Sequence, residues 1–317
     1  MNFENTLQFA QKLDTEDKLS CYREEFHFPK INGKQVIYFT GNSLGLQPKR
    51  TKKFVDEVMS DWADLAVEGH FYAEKPWWDY HERLAAPLAK VVGAKTAEVS
   101  VMNTLTVNLH LLMVSFYRPT KTRFKIICEE KAFPSDQYML KSQVKFHGLD
   151  VDVAIVEVKK RSGENHWRTE DIIAKINEVG DELALVLIGG VNYYNGQVFD
   201  MKTITAAGKN VGAFVGWDLA HGVGNIELKL NEWGADFAAW CSYKYMKPEF
   251  EPMETADAWQ ISNAPILSVA PYLASLEMFE EVGMAALIEK RNKIVAYLEF
   301  ILHEIDAEVE STFEIIT

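Results

Sequence analysis

The sequence has only three cysteines in 317 residues, Cys21, Cys128 and Cys241. They are far apart and odd in number, which excludes a disulfide framework and any CxxC-type metal pair and points to a reduced, cytoplasmic compartment. Positive charge is scarce: 33 Lys and Arg stand against 46 Asp and Glu, a net charge of −13. A polyanion is attracted neither to nucleic acid nor to an anionic membrane surface, and the excess of acid serves solubility. No apolar run approaches the length of a membrane span. The amino terminus, MNFENTLQFAQKLDTEDKL, has no basic stretch leading into an apolar core, so no signal peptide is expected. Internal repeats and low-complexity tracts are lacking as well. What remains is ordinary globular composition, 48% hydrophobic and 25% charged, in a chain longer than one average domain.

The chemistry concentrates between Gly212 and Met246. One apolar run ends on Asp218, with His221 three residues on; a second, Phe237 to Cys241, delivers Ser242-Tyr243-Lys244. Open α/β sheets bind ligands at the carboxyl ends of their strands. An acid that faces a pyridinium nitrogen and a lysine that forms a Schiff base are the two groups a pyridoxal-phosphate enzyme requires. Each residue also has an ordinary structural reading. Asp218 suits a strand-end turn, Lys244 a solvated surface, and His221 a helix stop before Gly222. The order of all three, each at or just after an apolar strand, is compatible with a pyridoxal-phosphate site, and spacing alone goes no further.

Along the chain, residues 5–24 read as an acidic amphipathic helix, and Gln35–Thr40 as a strand leading into the turn Gly41-Asn42-Ser43-Leu44-Gly45. Thr51–Leu65 is helical. The segment from Glu68 to Trp78 is dense in aromatics and broken by Gly and Pro, which suits a loop packed on a flat ligand, on a neighbouring subunit, or on its own core. Helix resumes over His81–Val92. Glu98–Met102 reads as a strand, followed by Asn103-Thr104-Leu105-Thr106 and an apolar helix Val107–Phe116. Threonines there can cap the helix, and free amides at its start can hold a phosphate. Strands are expected at Phe124–Glu129, Val151–Val158 and Leu183–Ile188, and helices at Tyr138–Phe146, Thr169–Val179 and Met201–Asn210. This alternation predicts an α/β fold with a mostly parallel sheet sandwiched by helices. From Leu273 to Ile305 the pattern is one long helix, so the expected parts are residues 1–50, a large α/β domain over 51–270, and the start of a smaller, incomplete carboxyl-terminal domain over 271–317.

With these motifs in order, the chain resembles the kynureninase family, pyridoxal-phosphate enzymes of the aspartate-aminotransferase fold (fold type I). The resemblance is carried by Phe39–Pro48 (FTGNSLGLQP), Met102–His110 (MNTLTVNLH), Lys131–Asp136 (KAFPSD), Asp218–Asn225 (DLAHGVGN), Cys241–Tyr245 (CSYKY) and Gln260–Leu267 (QISNAPIL). It implies hydrolytic Cβ–Cγ cleavage of L-kynurenine or its 3-hydroxy derivative to L-alanine and anthranilate or 3-hydroxyanthranilate, in tryptophan degradation. It implies that Lys244 binds the cofactor aldehyde and shuttles the Cα proton, and that Asp218 pairs with the ring nitrogen. His221 would lie near the phenolic oxygen, Phe133 would stack on the ring with Ser135 and Asp136 beside it, and Leu105 and Thr106 would hold the phosphate. Tyr243 would bind the phosphate and act as a general acid. Ser43, His70, Ser262 and Asn263 would line the substrate, Asn263 reaching the neighbouring cofactor in a homodimer with shared active sites. No metal is implied.

The sequence departs from the family's pattern at three places. Gly189 stands where relatives often carry a phosphate-binding Ser. After Tyr245-Met246 the expected glycine-rich strand and tryptophan loop give way to Lys247-Pro248-Glu249, and the chain ends at Thr317, ahead of the family's carboxylate-binding arginine. Both stretches are expected to belong to the natural protein, and an intact mass near 36.1 kDa would refute that expectation. Two other readings stay open at this point. One is another fold-type-I enzyme such as a cysteine desulfurase, which needs a mobile nucleophilic Cys; the other is a catalytically silent paralogue.

Overall fold

The computed structural model describes residues 2–245 and 266–309. Its centre is a five-stranded parallel sheet: β1 (Lys125–Glu129), β2 (Ile155–Val158), β3 (Leu183–Gly189), β4 (Phe214–Asp218) and β5 (Phe237–Ala239), in the spatial order β2-β1-β3-β4-β5. The apolar run of β3 is buried over its whole length to Ile188, as expected of a central strand covered on both faces. Alternation sorts its side chains: Leu185 and Leu187 join one core cluster, Val186 and Ile188 the other.

Nine long helices among the described residues cover the sheet or flank it. They are α1 (Leu7–Glu16), α2 (Thr51–Leu65), α3 (Glu82–Val92), α4 (Leu105–Phe116), α5 (Pro134–Phe146), α6 (Thr169–Val179), α7 (Met201–Asn210), α8 (Ile266–Val282) and α9 (Met284–Val309). Leu109 and Met113 of α4 and Met139, Leu140 and Val144 of α5 pack on one sheet face. On the other face lie Phe54 of α2, Leu84 and Leu88 of α3, Ile172 and Ile176 of α6, Ile204 of α7, and Ala270, Ala274 and Leu276 of α8. Helix α8 thus runs across residue 270 and buries its side chains in the same core as α2 and α3.

The chain leaves β1 towards β2 and returns to β3 on the other side of β1, so the strand order reverses between β1 and β3. Such a reversal opens a crevice at the carboxyl ends of the strands. Register brings those ends level: Gly189 pairs with Asp218, and Asp218 with Ala239.

Several expectations change. Of Gln35–Thr40 only Gln35 is in a strand, Lys34–Gln35 pairing with Lys30–Ile31 around an Asn32-Gly33 turn in which both φ values are positive. Glu98–Met102 forms no strand; Thr96–Glu98 is a 3₁₀ turn. A short apolar run at the first place and alternation at the second favoured strands, but a strand requires a ladder with a neighbour, and beyond the Val36 amide bonded to the Pro29 carbonyl none forms there among the described residues. Val151–Val158 divides into a helical turn, Val151–Ala154, started by Asp150 accepting from the Asp152 amide, and then β2. The first helix stops at Glu16, with Ser20–Glu25 as 3₁₀. The long carboxyl-terminal helix breaks at Gly283, whose φ of 76° favours glycine.

Candidate active site

Lys244 lies in the turn after β5 and is 9% exposed. Its Nζ is 2.9 Å from His221 Nε2. His221 in turn places Nδ1 3.3 Å from the Tyr245 hydroxyl. Burial and the neighbouring ammonium push the imidazole down to about 4, so near neutrality it is uncharged and accepts from the ammonium through Nε2. Its proton then sits on Nδ1, facing Tyr245.

Asp218 closes β4 and is buried. Its carboxylate accepts from the Ala220 amide at 2.7 Å and from the side chain of Asp136, in the first turn of α5. Burial raises the proton affinity of both acids, and for Asp136 the charge of Asp218 adds to the effect. The pair therefore holds one proton, on Asp136, which leaves Asp218 as the carboxylate. Ser135 donates to Asp136 at 3.1 Å.

Helix α4 starts at the rim of the same crevice. Asn103 takes a φ of 50°, a conformation Asn tolerates better than most residues. The residues that follow, Thr104, Leu105 and Thr106, line the cavity. Thr104 occupies the N-cap position without a side-chain hydrogen bond, so the expected capping role is not realised and the amides remain available to an anion. Phe133 is half exposed, 5.8 Å from Lys244 Nζ and edge-on to Tyr193. Tyr243 keeps its proton, since burial pushes the phenol up to about 12.

These groups enclose a cavity of about 500 Å³. Leu105, Thr106, Phe133, Ser135, Asp136, Asp218, His221, Tyr243 and Lys244 all line it, from parts of the chain up to 139 residues apart. Leu44 lines it too, where Ser43 was expected; Ser43 is exposed on the same turn, which docks through the Gly45 amide on the Tyr243 carbonyl at 3.0 Å. His70 does not line the cavity and stands edge-on to Trp77. Ser262 and Asn263 lie outside the described residues. Glu129, Val191, Tyr193 and Ala220 line the cavity without having been singled out for it, and Gly189, noted above as a departure from the family's Ser, lines it too. Glu129 could have been found, because a carboxylate ending the apolar run KIIC repeats the signature of Asp218 after FVGW. A larger cavity, about 680 Å³, runs between α4 and β5; it holds none of Asp218, His221 or Lys244, so volume does not mark the chemistry here.

Residues 37–249 match the family model for aminotransferase class V. A kynureninase from Christiangramia forsetii is 69% identical over an alignment covering all of this chain and 84% of that protein, and one from Flavobacterium johnsoniae is 64% identical with the same coverage. The mouse kynureninase is 40% identical, covering 92% of this chain and 74% of its own. The chain belongs to the kynureninase family. The alignment with the Christiangramia kynureninase spans 356 positions against 317 residues here, so that relative carries residues between its matched ends that this chain lacks.

Among solved structures, a cystine C-S lyase bound to cysteine persulfide superposes with a TM-score of 0.64 at 14% identity, over 78% of this chain and 73% of that one. A cysteine desulfurase from Thermococcus onnurineus gives 0.62 at 16% identity, over 94% and 78%. At that identity they establish the shared fold. Kynureninases and class-V aminotransferases depend on pyridoxal phosphate, and the residues present fit that group. A buried lysine, a buried carboxylate and an uncapped helix start converge on one cavity, with an aromatic ring at its mouth. The desulfurase alternative finds no support in the thiols: Cys128 is buried in β1 with its proton held by burial, Cys241 lies just past β5 and half-buried with burial raising its thiol, and Cys21 is in the Ser20–Glu25 turn.

Proposed function

We propose that this protein is a pyridoxal-phosphate-dependent hydrolase that cleaves the Cβ–Cγ bond of L-kynurenine or 3-hydroxy-L-kynurenine, giving L-alanine and anthranilate or 3-hydroxyanthranilate. The observation that carries the reading is Lys244 held by His221 in the cavity floored by Asp218, within a chain 69% identical to a kynureninase over its whole length. When bound, the cofactor supplies the electron sink that this cleavage needs.

The chain's own residues supply the rest. The first amides of α4, at Leu105 and Thr106, would hold the phosphate together with Tyr243. Phe133 would cover the ring face. Asp218, kept ionised by the proton on Asp136, would hold a proton on the ring nitrogen. Lys244, once released from its link to the cofactor, would carry the proton taken from Cα, and neutral His221 is the acceptor that keeps its amine oriented. Tyr243, protonated at neutral pH, would donate a proton at Cβ.

The same reading makes the protein a cytoplasmic homodimer whose sites are completed across the interface, which accounts for a His70 that misses its own cavity. It keeps the division at residues 50 and 270, with a second domain begun by 271–317 that shares α8 with the first. His70 and Asn263 favour the 3-hydroxy substrate, because buried polar groups left unpaired discriminate against an analogue lacking the hydroxyl. The test is a visible absorbance band on adding the cofactor, abolished by borohydride, followed by anthranilate fluorescence on adding kynurenine. A band without fluorescence from either kynurenine would favour the silent paralogue. Higher kcat/KM for plain kynurenine would remove the preference assigned to His70 and Asn263.

A further inference from the structure

Glu129, the last residue of β1, is the one carboxylate of the cavity without a part in the roles above. It is 4% exposed and lines the cavity together with Asp136 and Asp218. Its Oε1 accepts from the Gly189 amide at 3.2 Å, while Oε2 is buried and has no hydrogen-bond partner among the described residues. The fit at this position is tight: a Cβ on residue 189 would stand 3.1 Å from Oε1, and the carboxylate would have to give by a few tenths of an ångström.

Among the described residues, the groups around Glu129 offer it no counter-ion. From α5 comes Asp136, from β4 Asp218, and from β2 the exposed Glu157; β3 contributes only the Gly189 amide, and Cys128 precedes Glu129 on its own strand with its thiol protonated. The cavity's one ammonium, Lys244, is engaged by neutral His221. An ionised carboxylate in such a place, with one oxygen unpaired, carries a large desolvation cost.

We propose that Glu129 is a positioning residue that holds a proton into the neutral range, so that Glu129, Asp136 and Asp218 together bear a single negative charge, kept on Asp218. Two protons are then shared among three acids. One is on Asp136 and is donated to Asp218; the other is on Glu129 Oε2, which is buried and unpaired. Burial, the largest cause, pushes Glu129 up to about 7. A ligand in the cavity then meets one anion, at Asp218, beside a neutral Glu129. That this anion faces the cofactor's ring nitrogen rests on the proposed function; the proton on Glu129 does not.

The test uses the full chain, cofactor-free and loaded, with carbon-13 at the glutamate side-chain carboxyls. One glutamate resonance is expected to titrate near 7 and to vanish in Glu129→Gln. The proposal is overturned if every glutamate titrates in the ordinary range, or if the high-titrating signal survives the substitution. Glutamine keeps the acceptor for Gly189 and the neutral charge, so cofactor affinity at pH 6 should change by no more than about threefold. A loss of about tenfold or more would mean that the charge, not the proton, is used. The unfolding midpoints give a third readout. The folded proton affinity lies above the ordinary 4.5, so the proton of Glu129 favours folding fully below 4.5, and this is lost as pH rises through about 7. Wild type should therefore lose stability relative to Glu129→Gln across that window and in parallel outside it. If Glu129→Gln does not fold, the wild-type titration decides alone. Failure of the chain to develop a cofactor band would overturn the proposed function and leave the titration of Glu129 as it stands.

Discussion

The crevice at the carboxyl ends of the strands and the aromatic segment over residues 59–78 differ in how their surfaces are satisfied. In the crevice, Lys244, His221, Tyr245, Asp218, Asp136 and Ser135 find partners within the chain, 2.7 to 3.3 Å apart where distances apply. In the aromatic segment Trp77 is pinned inward, its ring lying where a Cβ on Gly69 would come within 2.8 Å. Its neighbours turn outward instead: Trp62, Val67, Phe71, Tyr72 and Trp78 are all more than half exposed, with Phe71 stacked on Trp78. One chain therefore pairs the named polar groups of the crevice, and the proposed homodimer would be the means of covering the exposed aromatic side chains.

The largest effect should come from the crevice. Lys244→Ala should lower turnover by about three orders of magnitude or more while part of the cofactor stays bound through the α4 amides. Near-normal turnover would displace Lys244 from its role. Asp218→Ala should slow exchange of the substrate's Cα hydrogen in deuterated buffer by roughly a hundredfold, and unchanged exchange would leave Asp218 a structural acid only.

The next measurement joins the two regions. Lys244→Ala and Asn263→Ala chains, each inactive alone, should regain roughly a quarter of wild-type activity after unfolding and refolding together, since half the dimers are mixed and each has one intact site. No recovery from mixed dimers verified by mass would show that each chain builds its site unaided. Smaller still, Trp78→Asp should weaken self-association by about 1.5–3 kcal/mol, the scale for one buried aromatic, as read by sedimentation. An unchanged association constant would place the aromatic face outside the dimer contact.

The smallest effect concerns His221. Its folded proton affinity lies below the ordinary 6.5, so its neutral form supports folding above that pH, and the support is lost as pH falls through about 4. His221→Gln should flatten the acid side of the unfolding profile between those values. An unaltered slope would indicate a solvated ring.

Much of the crevice was legible in the sequence. Asp218, His221 and Lys244 were marked by their places at or just after apolar strands, and the start of α4 by its threonines, whereas Phe133, Ser135, Asp136 and Tyr243 were expected from the resemblance to the kynureninase family; all of these, with Leu105 and Thr106, line the cavity. The elements that misled were those whose state depends on a neighbour. Val36–Thr40 is an apolar run and Val99–Met102 alternates, both as strands do, yet hydrogen-bonding partners are long-range and leave no mark in the local pattern. Val151–Ala154 looked like more strand because β-branched residues dominate it, and the Asp150 side chain overrode that preference. Glu129 was overlooked because a single acid after an apolar run says nothing about whether a cation will face it.

The sequence by itself determined the alternation of strand and helix, the acidic surface, and the order in which Leu105, Phe133, Asp136, Asp218, His221, Tyr243 and Lys244 reach the strand ends. The alternation follows from side-chain periodicity and the placing of Asp218, His221 and Lys244 from strand-end geometry, while Leu105, Phe133, Asp136 and Tyr243 follow from the motifs shared with the kynureninase family. Only the tertiary structure decided that Asp136 shares a proton with Asp218, that Glu129 ends against the Gly189 amide with one oxygen unpaired, and that His70 turns to Trp77 instead of the cavity. Each of these depends on distances across strands and helices set by the sheet order, and the electrostatics of a buried group are set by what lies within a few ångströms in space, however far apart the residues stand along the chain.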